Sequence, residues 1–558
     1  MRTRSRSRRL ISLVAVAVTV LAAGPATATT AVVDVQANQP QVQGNPTSNT
    51  SARFPTNKQN ETTIARDPVS GVMIAGANDE QRQPPCGPGP VRGTTIASDC
   101  SFFPGIGTSG IYTSPDGVTW TNRGLLDDQA SWQGKGVLSD GDPVIAFGPK
   151  PDGRGGFSYA NGARAYYSSL ASVTGSKGFE SIIVSSSDND GATWSAPVVV
   201  TTKTSSVDFN DKNWIGVDDS PASPFFGRVY VSWTEFRSNT ATGNGSEPIM
   251  VAVSTDGSQS FGAPKQLSPA GNNGTGNGRQ GSAVTTGPDG TVYVAFEQAS
   301  SQVLTVSRDG GQKWSGAAPI APVTDIDAAI PGSNFRTSSF PAIAADPRPG
   351  STTLYATWAT KTAAGGRIVL ATSTDRGGHW TAPQTVSGAE GYAFFPGIDV
   401  APNGRVDVAY QALVAANPAV VGTGNAKIDS WAVTKSAGGA VSAPVKISTA
   451  SSDPAASAQN NLQLQFWGDY ASVVSGADRA WYVYTDSRAG AGCPAVDAYQ
   501  KFLHDTGVTL REDGEDVFTQ RSTGVNTALA GPVSKPAPGL VCPANFGNTD
   551  VFVASFTP

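Results

Sequence analysis

Apolar residues in this chain come in short alternating runs, separated by Pro, Asp and Gly, and the runs recur in a fixed order. Pro341-Ala-Ile-Ala-Ala-Asp-Pro347, a turn and then Leu354-Tyr-Ala-Thr-Trp358 form the clearest copy. Gly281-Ser-Ala-Val-Thr-Thr-Gly287 and Val292-Tyr-Val-Ala-Phe296, joined by Pro288-Asp-Gly-Thr291, form another. A period of two predicts strands, and the Pro/Asp/Gly clusters predict the turns between them. Copies begin at Thr62, Pro143, Asn213, Gly281, Pro341, Pro396 and Tyr470. The first six continue into a third strand, a hairpin turn and a fourth strand. The seventh offers Tyr470–Gly476, Ala480–Thr485 and Asp550–Phe556 and then runs out of chain. No stretch shows helical periodicity.

The hairpin after each third strand has its own signature. It reads Ser114-Pro-Asp-Gly-Val-Thr-Trp120, Ser187-Asp-Asn-Asp-Gly-Ala-Thr-Trp194 and Ser254-Thr-Asp-Gly-Ser-Gln-Ser-Phe261. It returns as Ser307-Arg-Asp-Gly-Gly-Gln-Lys-Trp314 and Ser373-Thr-Asp-Arg-Gly-Gly-His-Trp380, with a worn copy at Lys435–Ser442. Asp and Gly make a tight turn, and the aromatic residue covers it from the following strand. Together the repeats predict an all-β fold: a single β-propeller of four-stranded antiparallel blades, with seven blades favoured and six the alternative. A segment ahead of Glu61 is expected to supply the strand that the seventh blade lacks, which would leave no open sheet edge.

The hairpin signature resembles the Asp-box, or BNR repeat, of the sialidase-like propeller superfamily. In that family the Asp-box lies on the outer edge of each blade, so its residues are expected to be structural. The resemblance implies a glycoside hydrolase that clamps a substrate carboxylate with three arginines. It also implies a Tyr nucleophile helped by Glu, and an Asp acid/base. Arg53, in Arg53-Phe54-Pro55, would be the first arginine, Arg279 and Arg336 the others, and Tyr410 or Tyr470 the nucleophile. Sialidase propellers have six blades, and the count of seven here departs from them.

The blade register offers candidate residues independently. Propeller ligands bind where the inner strands begin, and the residues just before those strands are Glu61, Asp142, Lys212, Gln280, Phe340, Phe395 and Asp469. Closing the ring makes Asp469, Glu61 and Asp142 consecutive, with Lys212 next. Neighbouring carboxylates shift one another's pKa and can divide acid and base roles, as glycosidases require. Loops leaving the second strands add Asp79, Glu235, Arg237, Glu297, Asp486 and Arg488 to the same face. Taken together with the residues that the resemblance implies, the candidate catalytic residues are Glu61, Asp142, Asp469 and Tyr470, and the candidate substrate-binding residues are Arg53, Arg279, Arg336 and Arg488.

Composition narrows the class. Of 558 residues only two are His, which excludes a multi-histidine metal site; no cofactor is required, and a structural calcium held by carboxylates stays open. Arg2, Arg4, Arg6, Arg8 and Arg9, the apolar run Leu10–Ala23 and Ala26-Thr27-Ala28 read as a signal peptide over residues 1–30, and Ser7-Arg8-Arg9 partly resembles a twin-arginine signal. Residues 31–50 read as a flexible N-terminal segment and residues 51–558 as the propeller, with a long loop insertion at 489–549. Losing the five leader arginines takes the formal charge from −5 to about −10, which argues against a nucleic-acid partner.

No second apolar run reaches membrane-spanning length. The four cysteines of an exported chain suggest two disulfides, with the short pairings Cys86–Cys100 and Cys493–Cys542 expected. The sum is a secreted bacterial protein, monomeric, with a carbohydrate or glycoconjugate partner. Its readings are a sialidase-like hydrolase, a non-catalytic propeller binding glycan or protein, and another polysaccharide lyase or exo-hydrolase.

Overall fold

The computed structural model describes residues 32–39, 58–82, 107–176, 180–202, 208–239, 244–270, 279–458, 462–506, 533, 536, 538–543 and 545–557. Arg53, Cys86, Cys100 and the leader lie outside these residues. Seven antiparallel sheets stand around one axis, each with a four-strand path running from axis to rim, and the third adds the strand Asn244–Ser246. The inner strands are Gln59–Arg66, Val137–Pro151, Phe209–Val217, Arg279–Thr286, Ala342–Ala345, Tyr392–Val400 and Ser472–Ser475. This is a seven-bladed β-propeller, and the count of seven stands.

The seventh blade is built from both chain ends. Ser472–Ser475, Ala480–Asp486 and Asp550–Phe556 are its first three strands, and Val32–Gln36 pairs outside them, with Val35 opposite Val553. Those five residues fall in the stretch assigned above to a flexible N-terminal segment, so the propeller begins at least as early as Val32. Pairing removes the exposed edge that a three-stranded blade would present.

Each blade-to-blade seam has its own apolar cluster. Tyr112, Trp481 and Val553 fill the seam that joins blade seven to blade one, and Tyr293, Leu354 and Trp358 fill the one between blades four and five. The core is thus distributed as seven wedges, and none of it requires apolar residues on the axis. That frees the axis for polar residues.

The Asp-box hairpins join third to fourth strands at the rim of blades one to six. In blade four, Ser307 Oγ donates to Asp309 Oδ1 at 3.0 Å, and the same oxygen accepts the backbone N–H groups of Gln312 and Lys313. Blade two keeps the arrangement with Asn189 in place of Asp. Blade seven has no such box because its fourth strand comes from the far end of the chain.

The insertion after Asp486 carries a helix, Pro494–Asp505, which the periodicity reading missed. Val496, Tyr499 and Leu503 on its buried face pack with Leu462 and Phe546 in a small core, and Cys493–Cys542 staples its start. The buried stripe also includes Gln500, a polar residue that masks the helical pattern.

Candidate functional site

Five inner strands carry a bulge at the end that faces the mouth. The pairing register skips between Asn60 and Thr63, Gly141 and Val144, Asp211 and Trp214, Gln280 and Ala283, and Phe394 and Gly397. The first bulged residue has a left-handed backbone: Glu61 at φ 53°, Asp142 at 51°, Lys212 at 54°, Phe395 at 48° and Gly281 at 69°. Only Gly adopts this conformation freely; elsewhere it costs of order 1–3 kcal/mol and persists where surroundings enforce it. In blade four the ring position therefore belongs to Gly281. Gln280 is displaced by one residue, because a bulge shifts the register that the strand pattern alone implies.

The bulges gather a charged cluster at one end of the axis. Arg336, on the connection into blade five, donates from Nε to Asp469 Oδ1 at 2.7 Å and from Nη2 to Oδ2 at 2.5 Å. Its Nη2 also lies 3.7 Å from Glu61 Oε1. Lys212 Nζ lies 3.5 Å from Asp469 Oδ2 and 4.1 Å from the centre of the Tyr470 ring. Asn78 Nδ2 donates to Glu61 Oε2 at 3.0 Å, and its Oδ1 accepts the Asp142 backbone N–H at 2.8 Å. Glu61, Asp142, Lys212 and Asp469 are each no more than 8 % exposed.

Burial and neighbours drive these groups apart. Asp142 is lifted well above the usual carboxylate range by burial, then by the charges of Glu61 and Asp211 and by its hydrogen bond to Glu61. Glu61 is raised by burial and by Asp469, against the opposing pull of Lys212, the Asp142 hydrogen bond and Arg336. Burial pushes Asp469 up too, but Arg336 and Lys212 outweigh it and hold that carboxylate below its ordinary value. Tyr470 is raised well above 10 by burial and the surrounding carboxylates, so its hydroxyl is a neutral donor, here to the Pro143 carbonyl at 3.3 Å.

The structure thus brings Glu61, Asp142, Asp469, Tyr470, Arg336 and Lys212 together. It directs other candidates elsewhere. Arg279 donates from Nε to Gln298 Oε1 and from its backbone to Glu247. Arg488 grips Asp486 and Asp34 and lies over Phe552, inside blade seven. Tyr410 is buried and hydrogen-bonds Glu390. Asn78 was not singled out from the sequence; its neighbour Asp79 was, and Asp79 instead binds Gln59, Gln81 and Tyr112.

A cavity of about 50 Å3 adjoins the cluster, lined by its Lys212, Asp469 and Tyr470 and by Trp214, Phe340 and Phe395, among others. Among the described residues no group of three or more His, Cys, Asp or Glu could hold a metal ion.

No family model and no curated protein matches the chain. Solved structures do. A protein of unknown function from Dyadobacter fermentans is 12% identical, with a TM-score of 0.37 over 70% of this chain and 96% of its own. The NanB sialidase from Streptococcus pneumoniae is 11% identical, TM-score 0.38, over 68% of this chain and 70% of its own. The GH93 alpha-L-arabinofuranosidase of Fusarium graminearum is 13% identical, TM-score 0.40, over 64% and 90%. The chain is distantly similar in fold to several carbohydrate-active propellers.

Proposed function

We propose that the axial mouth is a glycan-processing site that cleaves glycosidic bonds by acid–base chemistry. The observation that carries this is the opposed setting of two buried carboxyls in one cluster: Asp142, beside Glu61 and Asp211, is pushed well above the usual carboxylate range, and Asp469, gripped by Arg336 and near Lys212, is held below it. Groups pushed apart in this way divide the acid and base roles. Asp142 protonates the leaving-group oxygen. Asp469 stabilises the positive charge that develops at the anomeric carbon or activates the attacking water. Glu61 accepts the Asp142 hydrogen bond, and Lys212 and Arg336 offset the negative charge left in the cluster when the Asp142 proton goes to the leaving group.

This differs from a sialidase-type clamp. Arg336 is engaged by Asp469 and Glu61, Arg488 is engaged in blade seven, and a raised Tyr470 is poorly suited to act as an ionised nucleophile. A two-carboxylate hydrolase on extracellular glycans, exported by the Arg-rich leader, fits the residues better. A second reading, a propeller that binds glycan or protein without cleaving it, is favoured by that same engagement of Arg336.

The test is a panel of aryl glycosides, an α-sialoside and an α-L-arabinofuranoside among them, together with natural polysaccharides, incubated with the purified protein. Turnover that falls by about 100-fold or more in both Asp142→Asn and Asp469→Asn supports the reading. Binding of a glycan with no turnover across the panel supports the second.

A further inference from the structure

The loop that carries Arg336 is tied down by neutral residues. Three successive residues of its loop each meet the segment that enters blade seven. The Asn334 backbone N–H donates to Gln465 Oε1 at 3.1 Å, and the Gln465 N–H donates back to Asn334 Oδ1 at 3.0 Å. Phe335, fully buried, packs its ring against Phe394 at 5.4 Å and Trp467 at 6.0 Å. Arg336 then lies over Phe466 and on Asp469.

One further link ties this zipper to the insertion. Asn334 Nδ2 donates to Gln500 Oε1 at 3.1 Å, and Gln500 Nε2 donates to the Leu462 carbonyl at 3.2 Å. Gln500 sits on the buried face of the Pro494–Asp505 helix, only 3 % exposed, among Val496, Tyr499 and Leu503. A buried amide costs free energy unless its hydrogen bonds are made, and an apolar residue would serve packing as well. What the amide adds is the connection from the stapled helix to the loop that carries Arg336.

We propose that the disulfide-stapled helix Pro494–Asp505 regulates the mouth as a positioning clamp. Through Gln500 and the Asn334–Gln465 pair it fixes Arg336 on Asp469, and so sets the positive charge that this carboxylate meets. The proposal rests on the acid–base reading of the mouth, and Gln500, Asn334 and Gln465 are its positioning residues. Loosening the clamp withdraws positive charge from Asp469, whose carboxyl then rises and competes for a proton with Glu61, its hydrogen-bonded neighbour.

The test reads Arg336 directly. Phenylglyoxal labels accessible arginines, and peptide mass spectrometry gives the rate at each. Arg405, held by Asp407 in blade six, is the internal reference. Gln500→Met and Asn334→Ala are expected to raise labelling at Arg336 by about fivefold relative to Arg405, the factor that one lost buried hydrogen bond corresponds to. Labelling at Arg336 that stays unchanged in both variants, or that rises equally at Arg405, overturns the clamp.

The readout needs no turnover, so an inactive parent protein would sink the acid–base reading while the labelling still decides the clamp. In an active protein, Gln500→Met is also expected to move the acidic limb of the pH–rate profile to higher pH. A merely structural loss would scale the profile without moving it.

Discussion

Arg336 and Asp469 stand 133 residues apart, on the connections into blades five and seven, and meet through two hydrogen bonds at the mouth of the propeller. The pair joins non-adjacent blades across the axis and leaves Glu61 within reach of the same guanidinium. Removing one partner of a buried ion pair strands the other charge, at a cost of about 3 kcal/mol. Arg336→Ala is therefore expected to lower the free energy of unfolding in urea by about that much. The loss should be larger at pH 8 than at pH 5, because protonation relieves the stranded carboxylates at the lower pH. An equal loss at both would show that packing of the side chain, not charge, is what Arg336 contributes.

Stability should also fall as pH rises toward neutrality. Burial lifts Asp218, Asp399 and Asp550 each to about 7. A carboxyl raised in the folded state binds more protons there than in the unfolded chain between the two pKa values. Stability in that window, from about 4 to about 7, therefore decreases with rising pH. Thermal unfolding should give a higher Tm at pH 5 than at pH 8. Asp399→Asn keeps an acceptor for the Ser475 N–H, which now lies 2.7 Å from Asp399 Oδ2, and should flatten the slope. A Tm that rises steadily from pH 5 to pH 8 would contradict this.

The N-terminal strand is a closure with a specific lock. Asp34 accepts the Thr449 N–H at 2.7 Å and the Tyr484 hydroxyl at 2.8 Å, and lies 2.9 Å from Arg488 Nη2. Asp34→Ala leaves Arg488 with one buried carboxylate partner fewer and should lower stability by about 2–4 kcal/mol. Deleting residues 32–36 exposes the Asp550–Phe556 edge and should produce multimers on size-exclusion chromatography. Deletion that leaves both elution volume and Tm unchanged would show that the strand is dispensable.

Seven blades were legible because each repeats the same alternating strands and turn residues, and the mouth was legible because the inner strands start alike. Errors came where local pattern and tertiary contact diverge. Gln280 still pairs across the strand while Gly281 begins the bulge, and only the folded register distinguishes them. Arg488 lies close to the expected face, but its partner Asp34 comes from a strand at the other end of the chain. Asn78 carries no charge to mark it, and its value lies in holding Glu61 and Asp142 together. Gln500 conceals its helix because its polar side chain interrupts the apolar stripe for the sake of a contact 166 residues away.

The central claim is that Asp142 delivers a proton to a departing sugar oxygen, and leaving-group dependence tests it most directly. On whichever glycone the panel reveals, kcat/KM would be measured for a nitrophenyl glycoside and for its alkyl counterpart, in the parent protein and in Asp142→Asn. A good leaving group needs little protonation, so the variant should lose about 100-fold or more on the alkyl glycoside and far less on the nitrophenyl one. Equal losses on both, or none on either, would contradict the assignment of Asp142 as the acid.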